Sequence, residues 1–169
     1  MDLSLLLSLL ATCAPHVDAA TALALVRIES SGYRYAIGVV GGALERQPTT
    51  LHEAVRTARS LQLGRWNFSL GLSQINVHNL QRLGLTVESA FEPCANLRAM
   101  QAVLTECFER TAQNRSALPP PDPQRSLRQA LSCYYSGNFA TGFAHGYVRR
   151  VAQTVARIRR SPPPAMETS

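Results

Sequence analysis

The sequence predicts an α+β fold that is mostly helical, with one small sheet inserted early. Three observations predict it. Apolar residues recur at helical spacing over most of the chain. The stretches without that spacing are short, rich in β-branched residues and glycine, and confined to the first half. Hydrophobic residues make up 46% of the 169 positions and charged residues 17%, which supplies a packed core and rules out wholesale disorder. A chain of this length suits one domain. It is expected over residues 1–160, with 161–169 as a disordered tail. There is no internal repeat.

Taken in order, Met1–Ala11 (MDLSLLLSLLA) reads as a first amphipathic helix. It resembles the apolar region of an export signal but lacks a basic start and a small-residue cleavage site. Residues 13–17 form a loop, and Asp18 caps a helix over Ala19–Ser30 that Gly32 terminates. Tyr35–Ala43 reads as a strand and turn. Thr50 caps a helix over Glu53–Leu63, with Glu53 at the third position of a capping box. Arg65–Leu72 alternates as a second strand. Asn76–Leu83 is expected to be helical up to Gly84, and Thr86–Phe91 to be one helical turn ending at Pro93. Cys94–Asn114 carries Leu97, Met100, Val103, Leu104 and Phe108 on one helical stripe. Leu118–Pro123 is a stiff loop. Ser126–Tyr135 is helical, Ser136-Gly137-Asn138 breaks it, and Phe139–Arg160 is mostly helical again.

All 17 basic residues are arginine, and with 11 acidic residues the net charge is +6. A positive surface suits a polyanion such as nucleic acid, cell wall, lipid headgroups or an acidic protein. The basic runs Arg149-Arg150 and Arg157-Ile158-Arg159-Arg160 read as a solvated helix face, so no nucleic-acid partner is expected. No apolar run approaches the ~20 residues of a membrane span. None of Cys13, Cys94, Cys107 and Cys133 sits in a C-x-x-C pair, which argues against a zinc knuckle or a thioredoxin-type motif. Four separated cysteines fit two disulfides and an oxidising compartment, with three pairings open. Aspartate is scarce and no His/Asp/Glu cluster has ligand spacing, so no metal is expected.

Glu29 is the first chemically suggestive residue. On a helix it shares a face with Leu25, Val26 and Ala22. It also ends that helix, where the dipole disfavours negative charge. Both placements favour the protonated carboxyl that a general acid requires. A solvated glutamate at a frayed helix end is the other reading of this position.

Four segments decide between these readings. Glu29-Ser30 follows an apolar helix. Gly71-Leu72-Ser73-Gln74-Ile75-Asn76 comes second, Ala95-Asn96-Leu97 opens the long helix, and Tyr134-Tyr135-Ser136-Gly137-Asn138 ends another. In that order they resemble the lytic transglycosylases of goose-type lysozyme fold. The spacing is most similar to the small transglycosylases of type IV secretion and conjugation systems, over about Cys13 to Val151. The resemblance implies a lysozyme-like domain whose small antiparallel sheet lies beside a substrate cleft. It implies cleavage of the β-1,4 bond between N-acetylmuramic acid and N-acetylglucosamine in peptidoglycan. Glu29 matches the catalytic acid, and the sugar's own C6 hydroxyl would be the nucleophile, leaving a 1,6-anhydro end. Tyr134 matches the tyrosine that hydrogen-bonds the acid, while Tyr135 stands where the family often has asparagine. Ser73, in place of the commoner methionine, Gln74, Asn76, Asn96 and Tyr135 are candidate substrate contacts, though Asn76 or Asn96 could equally tie down a loop. Ser31 is placed to hydrogen-bond Glu29. No cofactor is implied. The implied setting is the bacterial periplasm, acting as a monomer beside a secretion or conjugation machine. The expected disulfides are Cys13–Cys94, preceding two helices, and Cys107–Cys133, behind the cleft.

The inventory of acids is consistent with that chemistry. A double-displacement glycosidase uses a second carboxylate, and Glu45, Glu88 and Glu92 lie in predicted loops or turns. Two other functions share the same residues: a peptidoglycan-binding scaffold without catalysis, and a hydrolytic lysozyme. Others fit less well. Gly71-Leu72-Ser73-Gln74-Ile75 lacks the second glycine of a nucleophile elbow, and His52, His78 and His145 are scattered. Gly38–Gly42 lacks phosphate-loop spacing and reads as hairpin flexibility.

Overall fold

A computed structural model describes residues 1–113 and 122–160. Of the loop expected over 118–123, residues 118–121 lie outside the described residues, as does the tail at 161–169, while Asp122 caps and Pro123 begins a helix. The chain forms two compact units, residues 1–100 and a second from Gln101 onward.

In the first unit, α1 (Leu3–Cys13) starts at Asp2, whose carboxylate accepts from the Ser4 and Leu5 N–H groups. Its buried face, Leu6, Leu10 and Cys13, packs on α2 (Ala19–Ser30). Asp18 caps α2 through the Thr21 N–H at 2.9 Å. Thr21 to Val26 are all buried, so the middle of α2 is enclosed on every side and not on a single stripe. It ends at Ser31 in the left-handed conformation.

The sheet is antiparallel, in the order β1 (Ile37–Val39), β2 (Phe68–Leu70), β3 (Ile75–Asn76). Ile37 faces Leu70 and Leu70 faces Ile75, three buried side chains in register. On the other edge of β1, the Gln47 carboxamide accepts from the Ile37 N–H at 2.8 Å and donates to its carbonyl at 3.0 Å.

Two expectations are corrected here. The strand expected from Arg65 begins only at Phe68, because Trp66 N–H bonds the Leu61 carbonyl and Arg65 N–H the Gln62 carbonyl, both at 3.0 Å. That is the two-bond finish of a helix, with Arg65 left-handed at φ 56°. The helix expected over 76–83 is instead β3 followed by 3-10 turns at Val77–Asn79 and Gln81–Leu83. Asn76 pairs in the sheet and caps the first turn through His78 N–H, leaving too few residues to nucleate an α-helix.

Helix α3 (Leu51–Leu63) connects β1 to β2. Thr50 accepts from Glu53 N–H, and the Glu53 carboxylate accepts from Thr49 N–H at 2.8 Å and pairs with Arg46. Led by the Thr49 bond, these hold the Glu53 pKa down from 4.5 to about 2. A depressed carboxyl stabilises the fold above its unfolded pKa. The Glu53 contribution is therefore full above about pH 5 and is lost as pH falls toward 2. Glu53→Gln is expected to flatten the acid limb of a stability–pH curve in that window, as read by urea unfolding.

Helix α4 (Pro93–Gln113) starts in the first unit with Leu97 and Met100 fully buried. The Cys13–Cys94 disulfide joins the end of α1 to the start of α4, with a sequence separation of 81. Its removal by paired Cys→Ser substitution is expected to cost roughly 4–5 kcal/mol in the chain-entropy model, measured as a lowered urea midpoint.

In the second unit, Val103, Leu104 and Cys107 of α4 are buried. Phe108, one turn beyond Leu104 on the same stripe, is 39% exposed at the edge of that face. Helix α5 (Pro123–Ser136) is capped by Asp122 and packs against α6 (Thr141–Ala144) and α7 (Tyr147–Arg160). Cys107–Cys133 ties α4 to α5. Gly142 lies against Ser132, where a Cβ would meet the Ser132 Cα at 2.6 Å. The stretch expected to be mostly helical over 139–160 forms α6 and α7, separated at Gly146, which is left-handed at φ 70°.

Candidate active site

Glu29 sits half-buried in the last turn of α2, and the next residue anchors that turn. The Ser30 hydroxyl donates to the Leu72 carbonyl at 2.7 Å and accepts from Gly32 N–H at 3.2 Å. The acid-bearing helix end is thereby fixed to the Gly71–Gln74 turn, 42 residues away in sequence. Ser31, exposed and left-handed, follows directly.

The turn itself is built from polar side chains turned inward. Asn96 is 1% exposed. Its Oδ1 accepts from Ser73 N–H at 2.8 Å, and its Nδ2 donates to the carbonyls of Leu70 at 2.9 Å and Ala90 at 2.7 Å. Gly71, left-handed at φ 77°, lies over this amide, and a Cβ there would strike both Asn96 and the Ala90 oxygen. Gln74 is also left-handed, at φ 49°, and its Nε2 donates to the carbonyls of Ala36 at 3.1 Å and Gly71 at 3.0 Å. Both amide hydrogens are committed, so Oε1 remains as its acceptor. That oxygen lies where a Cβ of Gly38 would be, which gives Gly38 a steric role beyond hairpin flexibility.

The structure therefore divides the candidate contacts. Gln74 has both amide hydrogens on backbone carbonyls and its Oε1 against Gly38. Ser73 is fully buried and Asn96 nearly so, and neither presents a surface to a sugar. Asn96 instead positions the turn. Asn76 is half-buried and donates to Asn67 at 2.7 Å, so it fastens β3 to the residue preceding β2.

In the second unit, Tyr134 is half-buried in the last turn of α5. Tyr135 is 41% exposed, stacks on Tyr147 at 4.5 Å and shares a hydrogen bond with His145 Nδ1 at 3.2 Å. The Ser136-Gly137-Asn138 segment closes α5, with Gly137 left-handed and Asn138 Oδ1 accepting from the Ala140 and Thr141 N–H groups. Among the described residues no group of three or more His, Cys, Asp or Glu side chains is arranged to hold a metal ion, and no helix is long and apolar enough to cross a membrane.

An acid thus ends an enclosed helix whose last turn is pinned to a polar turn beside a small antiparallel sheet, the arrangement of a lysozyme-like domain. The transglycosylase SLT domain family matches residues 7–155, and the chain belongs to that family. Among its relatives, the type IV secretion system protein virB1 of Brucella abortus and that of Brucella suis are each 46% identical over 144 residues, covering 82% of this chain and 59% of theirs. Protein virB1 of Agrobacterium fabrum is 36% identical over 148 residues, 86% of this chain and 57% of its own. The chain thus spans less than two thirds of the length of these relatives. No solved structure matches it.

Proposed function

We propose that the protein is a peptidoglycan lytic transglycosylase that opens the cell wall locally for a type IV secretion apparatus in the periplasm. The observation that carries this reading is Glu29 in the last turn of α2, tied through Ser30 to the Leu72 carbonyl. Family membership over residues 7–155 supports the reaction class and treating residues 1–160 as one functional domain. The names of the Brucella relatives support the secretion context.

In this mechanism the Glu29 carboxyl donates its proton to the oxygen linking N-acetylmuramic acid to N-acetylglucosamine, and the C1–O bond breaks. The 2-acetamido group stabilises the positive charge that develops at C1. The C6 hydroxyl of the same muramic acid then bonds C1, and the Glu29 carboxylate takes its proton. The acid is regenerated and no water is consumed. Gln74 Oε1 is the acceptor offered to a sugar N–H or O–H.

Digestion of purified sacculi with mass spectrometry of the fragments tests the reading. Anhydro ends are expected. Reducing ends would make the protein a lysozyme, and no fragments from folded protein would make it a scaffold. Tyr134 is proposed as a second catalytic residue, and Tyr134→Phe is expected to lower kcat roughly 10–100-fold without changing the thermal midpoint. An unaltered rate would remove Tyr134 from the mechanism.

A further inference from the structure

A concave site in the first unit is lined by none of the candidate site residues named above. It has a volume of about 600 Å³ and is lined by Gln62, Arg65, Trp66, His78, Gln81 and Leu85 among others, with no acidic residue. Trp66 is 51% exposed although it is the chain's single tryptophan and its largest apolar side chain. Its indole lies across Gly64, where a Cβ would meet Cδ1 at 2.9 Å, so the ring is seated and not waving in solvent.

Arg65 adds a second, independent sign. Only three non-glycine residues among those described are left-handed, at φ 54°, 56° and 49°: Ser31, Arg65 and Gln74. Ser31 and Gln74 flank the candidate active site, and Arg65 lines this cavity. Its position closes α3, where glycine is the ordinary choice. Keeping a long cationic side chain in an unfavourable backbone conformation points to a use for that side chain. Among the described residues no carboxylate pairs with the Arg65 guanidinium, and the Gln62 and Gln81 amides hold no internal hydrogen bond.

A fixed aromatic face, two uncommitted carboxamides and an unpaired guanidinium match an acetamido sugar bearing a carboxylate. The sugar ring stacks on the indole, the amides bond hydroxyl and acetamido groups, and the arginine meets the acid. We infer that the Trp66 cavity binds an N-acetylated sugar of a glycan strand at a place separate from the cleavage site. Such a contact would hold the enzyme on its polymer between cuts. The inference rests on the glycan-cleaving reading for its ligand but not for its residues.

Trp66 provides its own reporter. In the full chain carrying Glu29→Gln, a tetramer of N-acetylglucosamine and purified glycan strands are expected to shift tryptophan emission to the blue and to protect it from iodide. The strands should do so at lower concentration, because only they carry the carboxylate. Gln81→Ala and Arg65→Gly should each weaken the response by about fivefold, and Trp66→Ala should cut retention on insoluble sacculi about tenfold. Arg65→Gly should at the same time raise the thermal midpoint, which a merely structural arginine would do with no loss of binding. An unmoved emission in a wild-type protein that cleaves sacculi overturns this inference and leaves the enzymatic reading standing. A full response in a wild type that cleaves nothing does the reverse. Emission that ignores glycan but shifts with a protein of the secretion apparatus would make the cavity a protein-docking site instead.

Discussion

Replacing Glu29 with glutamine should abolish cleavage of sacculi, lowering kcat by about 10³-fold or more while the protein remains folded. The amide is nearly isosteric, so it keeps the half-buried packing at the end of α2 and the Ser30–Leu72 anchor is untouched. What it removes is the transferable proton. Without it the leaving oxygen departs as an alkoxide, and no carboxylate is left to accept the C6 proton. Glu29→Asp sharpens the test. It keeps the acid but withdraws it by one methylene, and a near-attack geometry tolerates little displacement. A substantial loss in the aspartate variant, with wild-type thermal midpoint, would identify positioned proton transfer as the source of the rate. Full activity in Glu29→Gln would require another acid and would overturn the mechanism.

Asn96→Ala is expected to be the most damaging substitution outside the chemistry. It leaves the Ser73 N–H and the Leu70 and Ala90 carbonyls without their partner in a buried region. Each such group carries a desolvation penalty when unsatisfied, and the sum is about 3–5 kcal/mol. For a chain of this size that lowers the thermal midpoint by roughly 10 °C. The loss is also functional, because Asn96 holds the turn to which Ser30 anchors the acid. Asn96→Asp keeps the acceptor for Ser73 but removes both donors, and should fall between alanine and wild type when urea midpoints are compared. Equal midpoints for all three would show that the turn is held by other means.

Helix α1 was readable from its run of leucines alone, whereas α2 was readable because its signals are local: an aspartate cap, a run of apolar residues, and a residue able to turn left-handed at the end. The same holds for α5, although its start at Pro123 precedes the expected one by three residues. The sheet was legible in kind but not in extent. Nothing local announces that Trp66 N–H reaches back to Leu61, or that two residues, Ile75 and Asn76, pair as a strand. The site shows the same division. A carboxylate on an apolar helix is visible in sequence, but whether an asparagine faces sugar or backbone depends on which residues the fold brings around it. Asn96 bonds residues 6, 23 and 26 positions away, and Gln74 reaches back 38. Arg65-Trp66 lay inside an expected strand and carried no helical or catalytic pattern, so its cavity could be found only in three dimensions.

The Gln47 side chain on β1 bears on how the molecule behaves at high concentration. β1 is an edge of the sheet, and an edge with free backbone groups is a template on which a second chain can add a strand. The carboxamide occupies the outward N–H and carbonyl of Ile37, imitating a neighbouring peptide with a side chain that cannot itself be extended. At this edge, strand addition by a second chain is thereby blocked by a single glutamine.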